Sequence, residues 1–144
     1  MNPETQKPRF IPTTDGCFVD PAAVFLAPDG KSLLVPEWAP DSACPERVTF
    51  DEAQECATAC TLAGGGWSVA SPKVWMASGI NHEKEDPASD LPDAQPDWYW
   101  TSQPDPSSSG DAVYVLLRLG RVDWGNRNGR GRARFVRLVP ASQF

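Results

Sequence analysis

Few side chains in this 144-residue sequence are suited to catalysis. His82 is the only histidine, and it lies beside Glu83 in an acidic run. Catalysis needs a base held against a reacting group, and a histidine among loop carboxylates is typical of a solvated loop. Asp93 and Asp97 form an acid pair of the kind that glycosidases use, but the sequence shows neither a carbohydrate cleft nor an acid of raised pKa. We therefore predict that the protein is not an enzyme.

The four cysteines raise the question of a metal site or a disulfide. Cys56 and Cys60 have a C-x3-C spacing without a nearby histidine, which is not a recognised zinc pattern. A regular helix holds side chains at i and i+4 too far apart for a disulfide. Two interpretations stay open: reduced thiols that act as small core residues, or one bridge from Cys44 to Cys56 or Cys60. We predict no resident cofactor.

The stretch from residue 49 to residue 72 predicts a helix, a glycine break and a second short helix. Thr49 and Glu52 have the spacing of a capping box, in which the hydroxyl accepts from a free amide and the carboxylate accepts from the cap's own N–H. Ser71 before Pro72 predicts an N-cap with proline at the first helical position. An apolar stripe predicts the buried face of the first helix, and glycines predict its end. The stripe is Ala53, Cys56, Ala57 and Cys60, and the glycines are Gly64, Gly65 and Gly66.

The other segments predict a small sheet. Apolar runs on either side of Pro28-Asp29-Gly30 predict a hairpin. Segment 36–45 predicts a loop carrying Trp38, and segment 80–97 predicts an acidic surface excursion. We therefore predict an α+β fold: two helices against a small twisted antiparallel sheet with long loops. After the helices, the predicted strands are 98–102, 112–119, 122–124 and 132–139, and the predicted loops are 103–110 and 125–131.

The first fourteen residues predict an extended N-terminal arm, followed by a single domain over residues 15–144. Three prolines among polar residues prevent residues 1–12 from folding on themselves. A tail of this composition that is ordered is expected to contact neighbouring molecules in an assembly. We assign Arg9 and Phe10 as the arm residues that make assembly contacts.

Charge is separated along the chain, whose net charge is −6. Residues 83–97 hold six acidic residues and one lysine, whereas residues 118–137 hold seven arginines and one aspartate. Two interpretations stay open: these regions neutralise each other within the fold or between neighbouring copies, or they form two solvated faces. An acidic chain without a recognition module argues against nucleic-acid binding. No apolar run reaches the length of a membrane helix, so membrane insertion is not expected, and the polar start favours folding in the cytoplasm.

The order of these motifs resembles the Lcl C-terminal-like domain, a family related to the C-type lectin-like fold. Its members combine a Thr-Trp/Phe-x-Glu-Ala helix, a Gly-Gly-x-x-x-Trp-Arg-Leu-Pro-Thr segment, a Tyr-Trp-Ser-Ser strand, a Gly-x-Val turn and a closing Val-Arg-x-Val. In this chain Arg-Leu-Pro-Thr is replaced by Val-Ala-Ser-Pro, so the local turn is expected to differ. The matching segments are Thr49–Ala53, Leu62–Pro72, Tyr99–Ser102, Val113–Val115, Gly120–Val122 and Phe135–Val139.

The resemblance implies a C-type lectin-like scaffold that displays loops, with no catalytic site. Sugar-binding C-type lectins hold calcium with a Gln-Pro-Asp loop and a later Trp-Asn-Asp segment. This chain has Gln-Pro-Asp at 95–97 and 103–105, and Trp124-Gly125-Asn126 downstream. An Asp after Asn126 is missing, and Arg127 would repel the ion. Gln103, Asp105 and Asn126 are therefore the weak candidates for calcium ligands.

The predicted binding residues lie on loops and at loop edges. Trp67, Trp75 and Trp100 match core positions of the family and are assigned to packing. Trp38, Trp98 and Trp124 are the candidates for an interface, because exposed aromatic residues serve as sugar-stacking platforms or contact hot spots. The residues predicted to be displayed for binding are Trp98, Gln103, Asp105, Trp124, Asn126, Arg127, Asn128 and Arg130.

The first functional hypothesis is a non-enzymatic bacteriophage virion component, made in the host cytoplasm, that decorates the capsid or serves as a tail-associated receptor-binding module. Its partners would be other virion proteins, copies of itself, or a host surface glycan or protein. The alternative is an adhesin or glycan-binding domain on a bacterial cell surface. A third hypothesis, an enzyme or host-directed inhibitor, has no residue pattern that specifies it.

Overall fold

The computed structural model describes residues 9–144, which form an α+β fold of ten strands in two sheets and two short helical segments. The helical segments are α1 (Phe50–Ala59) and α2 (Pro72–Val74), and a π-helical turn, Trp75–Gly79, continues α2. The strands are β1 (Ile11–Pro12), β2 (Phe18–Val19), β3 (Phe25–Leu26), β4 (Leu33–Trp38), β5 (Ser68–Val69), β6 (Trp98–Pro104), β7 (Asp111–Leu116), β8 (Arg121–Asn126), β9 (Arg132–Ala133) and β10 (Phe135–Pro140).

The first sheet has six strands in the order β1-β2-β4-β10-β5, with β3 beside β4, and its pairs are antiparallel. β3 and β4 form the predicted hairpin. The predicted loop at 36–45 is wrong over its first residues, because β4 continues to Trp38. Strand β10 pairs along β4, with Val139 opposite Val35, and that long-range pairing extends the strand.

The second sheet has four strands in the order β8-β7-β6-β9. The prediction of one wholly antiparallel sheet is wrong, because there are two sheets and β9 runs parallel to β6. β7 ends at Leu116 and the hairpin turn follows, so the predicted strand 112–119 is too long at its carboxyl end. The α+β class is confirmed.

Helix α1 begins as predicted, with both hydrogen bonds of the capping box between Thr49 and Glu52. Ala53 and Ala57 are buried, but Cys56 is exposed, so the predicted stripe is wrong there. The buried line of α1 is Phe50, Ala53 and Ala57, and Cys56 lies to one side of it. Gly64, Gly65 and Gly66 all have positive φ, as predicted for the break.

The second helical segment also begins as predicted. The Ser71 hydroxyl accepts from the Val74 amide, and Pro72 occupies the first turn. Gly79 ends the π-helical turn, and a Cβ there would clash with the Trp75 ring. Glycine thus lets the turn close over the aromatic core.

Two hydrophobic clusters fill the fold. One lies between α1 and the sheets and contains Phe50, Trp67 and Trp100. The other lies beside α2 and contains Trp38, Trp75, Tyr99, Val115 and Leu117. The assignment of Trp67, Trp75 and Trp100 to the core is confirmed, since none exceeds 5% exposure.

The N-terminal boundary differs from the predicted one within the described residues. The Arg9 guanidinium donates to the buried Asp20 carboxylate at 3.0 Å and to the Ala77 carbonyl. Phe10 packs edge-on against Phe18, with ring centroids 5.2 Å apart. Arg9 and Phe10 therefore belong to the folded unit instead of extending from it. Residues 1–8 of the predicted arm lie outside the described part of the chain.

The acidic excursion at 80–97 is not wholly on the surface, because Ile80, Ala88, Ser89 and Leu91 are buried. Charge neutralisation within the fold is confirmed for two pairs: Arg118 with Asp86 at 3.2 Å and Arg132 with Asp97 at 3.1 Å.

All four cysteines are free thiols: Cys17 and Cys44 are buried, Cys60 is half-buried and Cys56 is exposed. None of the helices in residues 9–144 combines the length and apolar character needed to cross a membrane.

Candidate functional site

Strand β8 is the longest open sheet edge within residues 9–144. It pairs with β7 on one side only, and it has six residues, whereas the other strands at sheet edges have two. An edge strand presents backbone N–H and C=O groups that a partner chain can pair with. We call β8 with its open side the β8 edge.

Trp124 lies at the centre of the β8 edge and is 62% exposed. Val122 is on the same face, since side chains alternate along a strand. Their partners across the ladder, Val113 and Val115, are buried, and α2 packs over β6 and β7. The β8 edge thus combines an exposed indole with a strand whose second side is not paired within residues 9–144.

The opposite face of the same sheet carries an aromatic set that is packed. Trp98 contacts Trp100 and Tyr114, with centroid distances of 4.9 Å in both cases. A Cβ on Gly131 would clash with the Trp98 ring, so the 127–131 loop closes over this indole. The structure therefore places Trp98 as a half-buried packing residue on the face opposite to Trp124. Burial, followed by the Asp123 carboxylate, raises the pKa of Tyr114, which keeps its phenol protonated.

Arg127 joins the two predicted display loops to helix α1. Its guanidinium donates to the Asp51 carboxylate at 2.7 Å and to the Ser109 carbonyl at 3.2 Å, and it lies 4.8 Å from the centre of the Phe50 ring. Its backbone amide donates to the Gly110 carbonyl. Arg127 is thus a clamp that fixes both loops beside the β8 edge.

The weak calcium candidates lie at the ends of β6 and β8, which flank β7, but the side chains of two of them already form hydrogen bonds within turns. The Asp105 carboxylate accepts from the Ser107 amide and hydroxyl at 2.9 and 2.8 Å. The Asn126 side-chain oxygen accepts from the Asn128 amide at 2.8 Å. Gln103 is exposed at the end of β6. In the described residues no three His, Cys, Asp or Glu side chains are grouped as metal ligands would be.

The remaining predicted residues lie on the rim of the site. Asn128 and Arg130 are exposed, and Arg130 makes a loose ion pair with Glu52 at 3.8 Å. Their side chains are therefore accessible to a partner that approaches the β8 edge.

Trp38 is not at the site. It is 0% exposed, its indole N–H donates to the Ser78 hydroxyl at 2.9 Å, and it packs on Trp75. The interface prediction for Trp38 is wrong because β4 has strands on both sides, which bury its end.

An ion-pair network at the β9 side of the four-stranded sheet, opposite to the β8 edge, was not predicted residue by residue. Asp97 accepts from Arg132 at 3.1 Å and from Arg47, and Asp41 lies 3.6 Å from both Arg132 and Arg134. Burial lowers the pKa of Arg134, and Asp41 opposes that shift. The opposite charges of the acidic loop and the arginine run were the signal in the sequence. The network occupies the acid of the first Gln-Pro-Asp with arginines, which disfavours a cation there.

The chain has no match among protein-family models, curated proteins or solved structures.

Proposed function

We propose that this chain is a non-enzymatic binding module of a bacteriophage virion, built on a C-type lectin-like scaffold and acting in capsid decoration or at the tail. The ordered motifs that resemble the Lcl C-terminal-like family support the scaffold and the virion setting. The observation that carries the binding role is Trp124, 62% exposed on the β8 edge.

Exposed aromatic residues at the centre of a contact surface dominate binding energy, since the indole buries much apolar area and keeps one polar group. The loops that flank Trp124 are fixed by Arg127, so the surface loses little conformational entropy on binding. A partner that covers the β8 edge would gain backbone hydrogen bonds from the strand as well as the indole contact.

The test uses particles of the phage that encodes the chain. We expect mass spectrometry of purified particles to find the chain at a fixed copy number. Trp124→Ala should bind particles that lack the chain about tenfold or more weakly than the wild type, a loss of ~1.4 kcal/mol. Leu119→Ala is the matched control, because Leu119 is 63% exposed in the β7–β8 turn; it should bind normally. Absence of the chain from particles would refute the proposal.

The second candidate is a glycan-binding domain on a bacterial surface, favoured by the same exposed indole, which could stack on a sugar ring. The calcium version of this candidate uses Gln103, Asp105 and Asn126. A bound ion stabilises the folded state, so millimolar calcium should raise the melting temperature of the wild type and not of Asp105→Asn. An unchanged melting temperature would remove the calcium site, and failure to bind whole cells or glycan arrays would remove the candidate.

A further inference from the structure

We propose that the β8 edge pairs antiparallel with the β8 edge of a second copy of this chain, about a twofold axis at Val122. This inference rests on the proposed function, because it names one partner that the β8 edge takes. The pairing would join two four-stranded sheets into one continuous sheet.

The β8 edge is the best template for strand addition in residues 9–144. The other edge strands have two residues each, whereas β8 has six. Charged side chains on an edge normally discourage pairing with foreign strands. In β8 these are Arg121 and Asp123, and a reversed copy of the same strand complements them.

Charge selects one register. A twofold axis perpendicular to the sheet keeps the faces, so each residue must oppose a residue of its own face. An axis at Arg121 sets two arginines opposite each other, an axis at Asp123 sets two aspartates opposite each other, and an axis at Trp124 sets Arg121 opposite Arg127. An axis at Gly125 sets Asp123 opposite Arg127, but the Arg127 guanidinium is already held by Asp51 at 2.7 Å. An axis at Val122 sets Arg121 opposite Asp123 twice. Opposite charges across a ladder are favourable and like charges are unfavourable, so the Val122 register is preferred.

The charged residues are available for this exchange. Within the chain, Arg121 and Asp123 are 3.5 Å apart, and their side chains are 63% and 32% exposed. In the proposed pair, Val122 meets Val122 of the second copy on the other face, and Trp124 faces Gly120 of the second copy, which has no side chain to oppose the indole. The paired segment is short, so the association should be weak in dilute solution and strengthened by neighbouring contacts in an assembly.

The first experiment is light scattering on the purified full chain over a concentration series up to about 1 mM, the range in which weak pairs form. The wild type should rise from 15.7 kDa towards twice that mass. Asp123→Arg should stay at the monomer mass. The swap variant Arg121→Asp/Asp123→Arg should dimerise again, because the strand remains complementary to its reversed copy.

The swap variant distinguishes the register about Val122 from the register about Asp123. With an axis at Asp123, the swap variant would set two arginines opposite each other and would not be restored. A wild type that stays monomeric throughout, or a swap variant that does not regain dimerisation, would overturn the inference.

A second measurement does not depend on the charge variants. In a Cys56→Ser background, Val122→Cys should give a disulfide-linked dimer with oxidised glutathione, which accepts the two electrons and two protons of the thiols. Residues directly opposite have Cβ atoms about 4.5–5.5 Å apart, close enough for a bridge after a small shift. Leu119→Cys in the same background is the control and should stay largely monomeric. Equal linking in both variants would contradict the register.

The outcome can be separated from that of the proposed function. A chain that stays monomeric yet binds phage particles would refute self-pairing and leave the virion role standing. A chain that dimerises through β8 yet is absent from particles would refute the virion role and leave self-pairing standing.

Discussion

Trp38 and Trp124 both lie on six-residue strands, yet the first is 0% exposed and the second 62% exposed. β4 has neighbours on both sides, and the α2 region packs against Trp38. Within residues 9–144, β8 has one neighbour, and its Val122 and Trp124 side chains are exposed. The six-stranded sheet therefore buries its tryptophan, while the four-stranded sheet leaves Trp124 exposed at its edge. The number of strand neighbours decides which role a tryptophan takes.

The largest expected effect is on the free energy of unfolding, for a substitution at the buried end of β4. Trp38→Ala removes a buried indole and its hydrogen bond to Ser78, so the free energy of unfolding should fall by about 4 kcal/mol. Trp124→Ala should change it by no more than about 0.5 kcal/mol. Urea denaturation measures both. Similar losses in the two variants would contradict the difference in burial between Trp38 and Trp124.

Arg137 and Arg130 show the same difference in burial, since the Arg137 side chain is partly buried and the Arg130 side chain is exposed. Arg137 donates to the Glu37 carboxylate at 2.7 Å and lies over the Trp67 ring. Arg137→Met would leave Glu37, 4% exposed, buried without its partner, and should cost about 3 kcal/mol. Arg130 is exposed, so Arg130→Met should cost under about 0.5 kcal/mol. Chemical denaturation of both variants measures these losses in the free energy of unfolding. A small loss for Arg137→Met would show that the Glu37 carboxylate is less buried than we infer.

A smaller effect is expected for the loop clamp. Arg127→Ala removes the bonds to Asp51 and Ser109 and should cost about 1–2 kcal/mol. Amide hydrogen exchange should rise in residues 105–111 and 126–131 and stay unchanged in β4. Exchange that rises throughout the chain would instead indicate a global role for Arg127.

A further effect concerns pH. Burial raises the pKa of Cys44 from 9.0 to about 11, so the folded state keeps the thiol proton to higher pH than the unfolded state. This stability is fully present below pH 9 and is lost as pH rises towards 11. Urea denaturation from pH 8 to pH 11 should show a decline that is shallower in Cys44→Ala.

Cys56 provides the internal reference for the thiols. It is exposed, so at pH 8 a thiol reagent should modify it first, while Cys44 and Cys17 react only on unfolding. Rapid modification of Cys44 in the native protein would contradict its burial.

Local signals in the sequence predicted the parts of the fold that depend on neighbours in the chain. The capping box of Thr49 and Glu52 and the break at the glycines are confirmed because their hydrogen bonds and φ angles are set within a few residues. Trp38 was misplaced because its burial depends on strand β10, about a hundred residues away. Arg127 was predicted for recognition, since no local pattern indicates that a loop arginine will reach Asp51 and Phe50.

Amide hydrogen exchange at low and high protein concentration compares the covered strand β4 with the open strand β8 in one sample. We predict that β4 amides are protected at both concentrations. The β8 amides that point to the open side should exchange quickly in dilute protein, and those within residues 121–124 should become protected when the protein is concentrated. Protection of every β8 amide in dilute protein, or open-side amides that exchange equally fast at both concentrations, would contradict an open edge that binds a second copy.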